Sequence, residues 1–282
     1  MFEVIEDTLL DSVKLIPFLF IAFLIMEVIE HKLSKQSRKV IEKSGKFGPF
    51  FGGLLGAFPQ CGFSALATNL YAARIITMGT LIAIYLSTSD EMLPLMIAEK
   101  VELSFIIKVV GLKVLIGIIC GFIIDFFLRR KETSKKNEIH DMCEHDHCDC
   151  KHSIILASLI HTVKIILFIA LASFILNTLI YLIGEDNIGK IFLKDSIFSP
   201  FISCLIGLIP NCGASVIITE LYLNGAISFA SLISGLLTGA GIGLLILFKE
   251  NKNIKENLTI LGLIYGIGVI SGVIIEMLGV IL

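Results

Sequence analysis

Two short runs of this chain hold residue types able to ligate soft ions. Phe58-Pro59-Gln60-Cys61-Gly62-Phe63-Ser64 recurs as Ile209-Pro210-Asn211-Cys212-Gly213-Ala214-Ser215, an offset of 151 residues (210 − 59). Each copy places a thiol (Cys61, Cys212) between a side-chain amide (Gln60, Asn211) and a glycine, with a hydroxyl (Ser64, Ser215) three residues on. Thiolates select soft ions, whereas amide, hydroxyl and carboxylate oxygens suit harder ones. A lone thiol in an apolar segment is usually a small packing residue, which is the reading for Cys120 and Cys204. Repetition of the whole run favours a ligand role for Cys61 and Cys212.

A second group, Ser87-Thr88-Ser89-Asp90-Glu91, follows the first run inside another apolar stretch. A carboxylate at the middle of a membrane segment costs about 2.5–3.5 kcal/mol even on the insertion scale, and marks a functional site by default. The structural alternative is an ion pair between Asp90 and Lys108 or Lys113. The repeat position reads Thr238-Gly239-Ala240-Gly241-Ile242 and carries no carboxylate. Glu220 and Glu276 are lesser candidates near an interface. A third group lies in polar sequence: His140, Cys143, His145, His147, Cys148, Cys150 and His152, interleaved with Asp141, Glu144, Asp146 and Asp149. Imidazole, thiolate and carboxylate at this density suit divalent transition metals, although the spacing is not that of a structural zinc finger. The expectation is a metal-gathering loop, the alternative a solvated linker.

The elements that must hold these groups are membrane segments. Of 282 residues 55% are hydrophobic and 17% charged, outside the range of soluble globular domains. The net charge of −2, with no basic stripe, argues against nucleic acid. Residues 1–14 are acidic, so the first apolar segment (13–29) reads as a retained span rather than a signal peptide. Further segments fall at 47–73, 77–98, 104–128, 154–183, 197–223, 226–248 and 258–281. Basic residues cluster in 31–46, 129–131 and 249–255, which the positive-inside rule makes cytoplasmic, with both termini outside. If 47–73 crossed once, the loop at 129–131 would land on the wrong side. It is also too short, at ~27 residues, for two spans of ~20. A re-entrant hairpin broken at Pro59-Gln60-Cys61-Gly62 resolves both problems.

Each half then has three spans plus one broken hairpin, about ten membrane segments in all. Three is odd, so the halves insert in opposite senses. The fold expected is an all-α polytopic membrane protein of two inverted repeats: 1–128, a cytoplasmic His/Cys/acid-rich linker at 129–152, and 153–282. Paired broken segments are the best sequence pointer to a transporter's binding site. Counted over 50–97 against 201–248, 15 of 48 positions are identical. The pairs Gly52/Gly56, Gly117/Gly121, Gly235/Gly239, Gly262/Gly266 and Gly268/Gly272 are spaced for close helix packing.

The run at 58–64, the segment Leu86-Ser87-Thr88-Ser89-Asp90-Glu91-Met92-Leu93-Pro94 and the run at 209–215 together resemble the ten-span heavy-metal exporter family. These are relatives of the arsenical permeases, also labelled arsenic efflux proteins or manganese transporters. The resemblance covers nearly the whole chain and implies export of a metal or metalloid across the cell (inner) membrane. The site expected is Pro59, Gln60, Cys61, Ser64, Ser87, Thr88, Ser89, Asp90, Glu91, Asn211, Cys212 and Ser215, working by alternating access. Its partners are the ion and membrane lipid, with protons coupled through Asp90 or Glu91. No enzymatic role and no resident cofactor is expected. The chain has no Walker motif to hydrolyse ATP. Two rivals are an intramembrane thiol redox enzyme, disfavoured because Cys61 and Cys212 belong to no Cys-x-x-Cys pair, and a membrane metal sensor, which leaves the paired broken segments unexplained.

Overall fold

The computed structural model describes residues 47–58, 61–89, 92–129, 198–211 and 213–279, with scattered positions between 16 and 24 and between 159 and 178. The basic loop at 31–46, most of the segments at 13–29 and 154–183, and the linker lie outside the described residues. Ten helices are described: α1 (Gly48–Gly56), α2 (Cys61–Ala72), α3 (Met78–Ser87), α4 (Met92–Ala98), α5 (Leu103–Arg129), α6 (Ser199–Gly207), α7 (Gly213–Leu223), α8 (Phe229–Thr238), α9 (Gly243–Glu250) and α10 (Ile254–Leu278). No strand occurs among the described residues. By length and composition four helical stretches are able to cross a membrane: Met78–Ala98, Leu103–Leu128, Phe229–Glu250 and Ile254–Leu278. Large apolar side chains stand exposed along the long helices, Ile119, Phe126 and Phe127 on α5 and Ile270, Ile274 and Met277 on α10. In lipid that face is the solvated one.

The offset of 151 returns in the helix bounds. It separates the starts of α1 and α6 (199 − 48), of α3 and α8 (229 − 78), and of α5 and α10 (254 − 103). The local causes repeat too. Proline sits in the first turn of α1 and of α6, where a missing N–H costs no helical bond. Thr77 caps α3 by accepting from the Thr80 amide at 3.1 Å, and Ser228 caps α8 from the Ser231 amide at 3.2 Å. α1 stops before Pro59 and α6 before Pro210, each residue having no N–H with which to continue.

The apolar runs at 77–98 and 226–248, read from sequence as single spans, are each two helices. α3 ends where Ser87 and Thr88 turn their hydroxyls back onto the Ala83 and Ile84 carbonyls, at 2.8 and 2.7 Å. α8 ends at Gly239, followed by Gly241 at φ 54°, a left-handed conformation that glycine adopts without strain. Each of the stretches 48–72, 78–98, 199–223 and 229–250 is therefore two helices rather than one.

Small residues set the packing. A Cβ on Gly56 would lie 2.6 Å from the Ile84 carbonyl, so α1 lies against α3. Gly117 and Gly121 bring α5 onto the Ala83 and Gly79 carbonyls of α3, and Gly268 and Gly272 bring α10 onto α8 at Ser234. Gly262 and Gly266 differ: a Cβ on either would meet nothing within 4 Å. That pair shares the spacing but faces away from the packed surface, so the expected close approach does not occur there.

At one end of α5, Asp125 accepts from Thr77 Oγ1 at 2.7 Å and from the Gly79 amide at 2.9 Å. At its other end Phe105 stacks on Tyr222 and meets Phe229 edge-on. For α10, Glu276 accepts from Ser228 Oγ at 2.8 Å, whereas Glu256 takes a two-point ion pair from Arg74 at 2.5 and 2.9 Å. Contacts between the halves are reciprocal: α2 packs on α9, and their counterparts α7 and α4 pack on each other.

Candidate functional site

The broken segments put chain ends in the interior. Where α3 stops, Ser87, Thr88 and Ser89 are all buried, at 0, 2 and 1% exposure. Hydroxyls at such depth need partners. Ser87 and Thr88 find them in their own helix, and Ser89 donates to the Ser87 carbonyl at 3.1 Å. Lys113 of α5, 1% exposed, donates its ammonium to the Thr88 carbonyl, just past the last turn of α3. A carbonyl beyond a helix end has lost its helical partner and is open to a cation.

On the other side of α3, Tyr85 is fully buried and its hydroxyl lies 2.5 Å from Thr68 Oγ1 on α2. Thr68 also contacts the Ser64 carbonyl at 2.6 Å and the Gly243 carbonyl at 3.2 Å. A Cβ on Gly243 would meet the Tyr85 ring at 2.9 Å and Ser64 Cβ at 3.0 Å. Only glycine at the start of α9 allows α2, α3 and α9 to converge. Asn69, one residue on, is buried with its Nδ2 donor lacking a partner among the described residues. An orphaned donor of this kind costs about 1–3 kcal/mol and marks a place where an acceptor is missing.

In the second half Asn211 is 6% exposed and accepts from the Gly213 amide at 3.3 Å, at the start of α7. Ser215 is half-buried, and its carbonyl accepts from Thr219 Oγ1 at 2.7 Å, as Ser64 does from Thr68. Of the residues expected at the site, Ser64, Ser87, Thr88, Ser89, Asn211 and Ser215 thus stand at the helix breaks or one turn inside them. Pro59, Gln60, Asp90, Glu91 and Cys212 lie outside the described residues. Cys61 opens α2, but its side chain is not among those described. The loop residues His140, Cys143, His145, His147, Cys148, Cys150 and His152 also lie outside. Among the described residues no group of three His, Cys, Asp or Glu is placed to hold a metal.

Cys204 is fully buried, its thiol 3.5 Å from the Ser234 carbonyl and packed by Gly268, and Cys120 is half-buried. Both fit a packing role. Lys108, offered from sequence as a partner for Asp90, is exposed on α5, whereas Lys113 reaches the break. Sequence reading passed over Thr68, Tyr85 and Asp125 as polar groups of interest. The offset would have found Asp125, since 125 + 151 gives Glu276.

No curated protein and no solved structure matches the chain. A family model described as "Putative, 10TM heavy-metal exporter" matches residues 1–182 and again 151–280. That description names a class of transporters rather than enzymes. The two matches cover nearly the full length, and with apolar helices, interior breaks and buried polar groups the conclusion is that this chain belongs to the ten-transmembrane heavy-metal exporter family.

Proposed function

We propose that the protein exports a heavy metal or metalloid ion across the cell (inner) membrane by alternating access between two inverted repeats, 1–128 and 153–282. The supporting observation is the placement of the ends of α5 and α10. The turn at 73–77 meets the end of α5 through Asp125 and the start of α10 through Glu256. Tyr222 and Phe229, on either side of the turn at 224–228, meet the start of α5 at Phe105, and Ser228 in the turn meets the end of α10 at Glu276. Twenty residues separate 105 from 125 and 256 from 276, about 30 Å of helix. The two long helices thus run in opposite senses, which supports the same opposition between the halves that contain them.

The hairpins follow the same logic. Gly48 lies beside Thr80 near the start of α3, Gly56 beside Ser87 at its end, and α2 returns to Glu256 through Tyr71. α1 and α2 therefore enter from one face and return to it, and α6 with α7 do so from the other. Arg74 and the lysines flanking the start of α10, Lys249, Lys252 and Lys255, belong to the first face, and Glu99 and Glu102, just before α5, to the opposite one. The positive-inside rule makes the first face cytoplasmic, with both termini outside.

The cargo site in this reading lies at the four breaks. Freed carbonyls and the hydroxyls of Ser64, Ser87, Thr88 and Ser89 supply oxygen, Gln60 and Asn211 amides, Cys61 and Cys212 thiols, and Asp90 and Glu91 charge and a path for protons. The linker at 129–152 gathers metal on the cytoplasmic side and is dispensable for most transport. Purified protein in liposomes, offered Mn²⁺, Zn²⁺, Cd²⁺, arsenite and trivalent monomethyl arsenite in turn, tests this. Saturable flux of at least one is expected, and absence of flux for all would refute it.

A further inference from the structure

Lys113 belongs to a stripe, Lys113, Gly117, Gly121 and Asp125, that lies along α3 from its break to its first turn. The offset of 151 turns this stripe into Ile264, Gly268, Gly272 and Glu276, which lies along α8 in the same way. Three of the four positions keep their character: a glycine where the helices touch, again a glycine, and a carboxylate bound to the hydroxyl that caps the neighbouring helix. The fourth does not. Ile264 is fully buried, and so is Lys113. The second half therefore shows that an aliphatic side chain satisfies the packing at this position. A lysine inside a membrane segment is costly, whereas the isoleucine of the second half is not.

One acceptor of the lysine is the Thr88 carbonyl, just past the end of α3 and two residues before Asp90. Unwound carbonyls and half-helix C-termini are the groups with which transporters coordinate cations. An ammonium and a metal cation seek the same oxygens. We infer that Lys113 is a tethered cation that competes with the cargo for the backbone oxygens at the end of α3, weakening binding so that the ion can leave. Transport requires a site strong enough to load and weak enough to empty. A resident competitor supplies the second property without altering the ligands themselves. The effect is largest for positively charged cargo, because a neutral metalloid acid offers a carbonyl oxygen only the hydrogen bonds of its hydroxyls and no charge.

The inference rests on the export reading, and the test separates the two. Initial rates are measured in liposomes over a concentration series of Mn²⁺, Cd²⁺ and neutral arsenous acid for wild type, Lys113→Ile and Lys113→Arg. Lys113→Ile takes the residue already found at position 264, and gel filtration and melting of the purified variants check that they fold. For the cations, Lys113→Ile is expected to lower KM and maximal rate together, each about tenfold. Lys113→Arg keeps the charge and restores both towards wild type. With arsenous acid the KM of Lys113→Ile is expected to fall much less than for the cations. A folded Lys113→Ile with unchanged or raised KM for a cation that wild type transports overturns the inference and leaves the export reading standing. Wild-type protein that moves none of these three cargoes, nor Zn²⁺ or monomethyl arsenite, overturns both.

Discussion

Asp90 and the two thiols divide the labour of selection in this account. A carboxylate is required for any charged or proton-coupled step, whereas thiols matter only for cargo that binds sulfur. Asp90→Asn is therefore expected to abolish export of every cargo in vesicle assays. Cys61→Ser combined with Cys212→Ser should remove only soft-metal and arsenical export. Normal flux in Asp90→Asn would make the carboxylate structural, and arsenical flux in the double serine variant would eliminate the thiol site. The runs around Pro59 and Pro210 were legible because proline and glycine break helices wherever they occur. The break after Ser87 was not, since serine and threonine end a helix only through the hydrogen bonds they choose, here back onto Ala83 and Ile84. Sequence names Lys113 only as a possible partner of Asp90, and its correspondence with Ile264 appears once α5 is laid on α10 by the offset.

The helix contacts carry two further expectations. A Cβ on Gly121 would stand 2.6 Å from the Gly79 carbonyl and 2.9 Å from Pro49 and Ala83, while one on Gly266 would meet nothing. Gly121→Val should lower thermal stability by about 1–3 kcal/mol through overpacking. Gly266→Ala should leave it unchanged or raise it by up to about 1 kcal/mol through helix propensity. Equal effects in a melting assay would show that spacing alone, without facing, sets the packing.

Arg74 tells a second story. It holds φ 60°, and its counterpart Gly225 holds φ 68°. The left-handed conformation costs a residue with a Cβ about 1–2 kcal/mol, so arginine stands where glycine would be easier. Its guanidinium clasps Glu256 and lies over the Tyr71 ring, whose hydroxyl also donates to Glu256. Arg74 is 40% exposed, so the pair adds only about 0.5–1 kcal/mol. Arg74→Ala loses the pair and keeps the strain, whereas Arg74→Gly loses both. The glycine variant should melt higher than the alanine variant, and the reverse order would show that the turn is not strained.

The two halves close the molecule differently at its two faces. Arg74, Tyr71 and Glu256 join them at the end rich in lysine and arginine, and Phe105, Tyr222 and Phe229 join them at the opposite end. The offset relates the two arrangements position by position, with Tyr71 matching Tyr222 and Glu256 matching Phe105. The charge pattern is what leads from sequence to the proposed opposed orientation of the halves. The use of an ionic clasp at one face and an aromatic one at the other is a tertiary fact with no signature in the repeat. Cysteine labels placed at Ser34, Lys135 and Lys252 should react from the cytoplasm and those at Glu99 and Asn187 from outside. Labels at Ser34 and Lys135 on opposite faces would break the repeat model.

Alternating access requires each clasp to open in turn. The direct measurement is transport by Arg74→Cys/Glu256→Cys and by Phe105→Cys/Tyr222→Cys in liposomes, before and after a short thiol cross-linker with a cleavable disulfide, with wild type treated alike. Each cross-link should arrest flux that reductant restores, while treated wild type keeps transporting. Undiminished flux with either clasp locked would contradict the account.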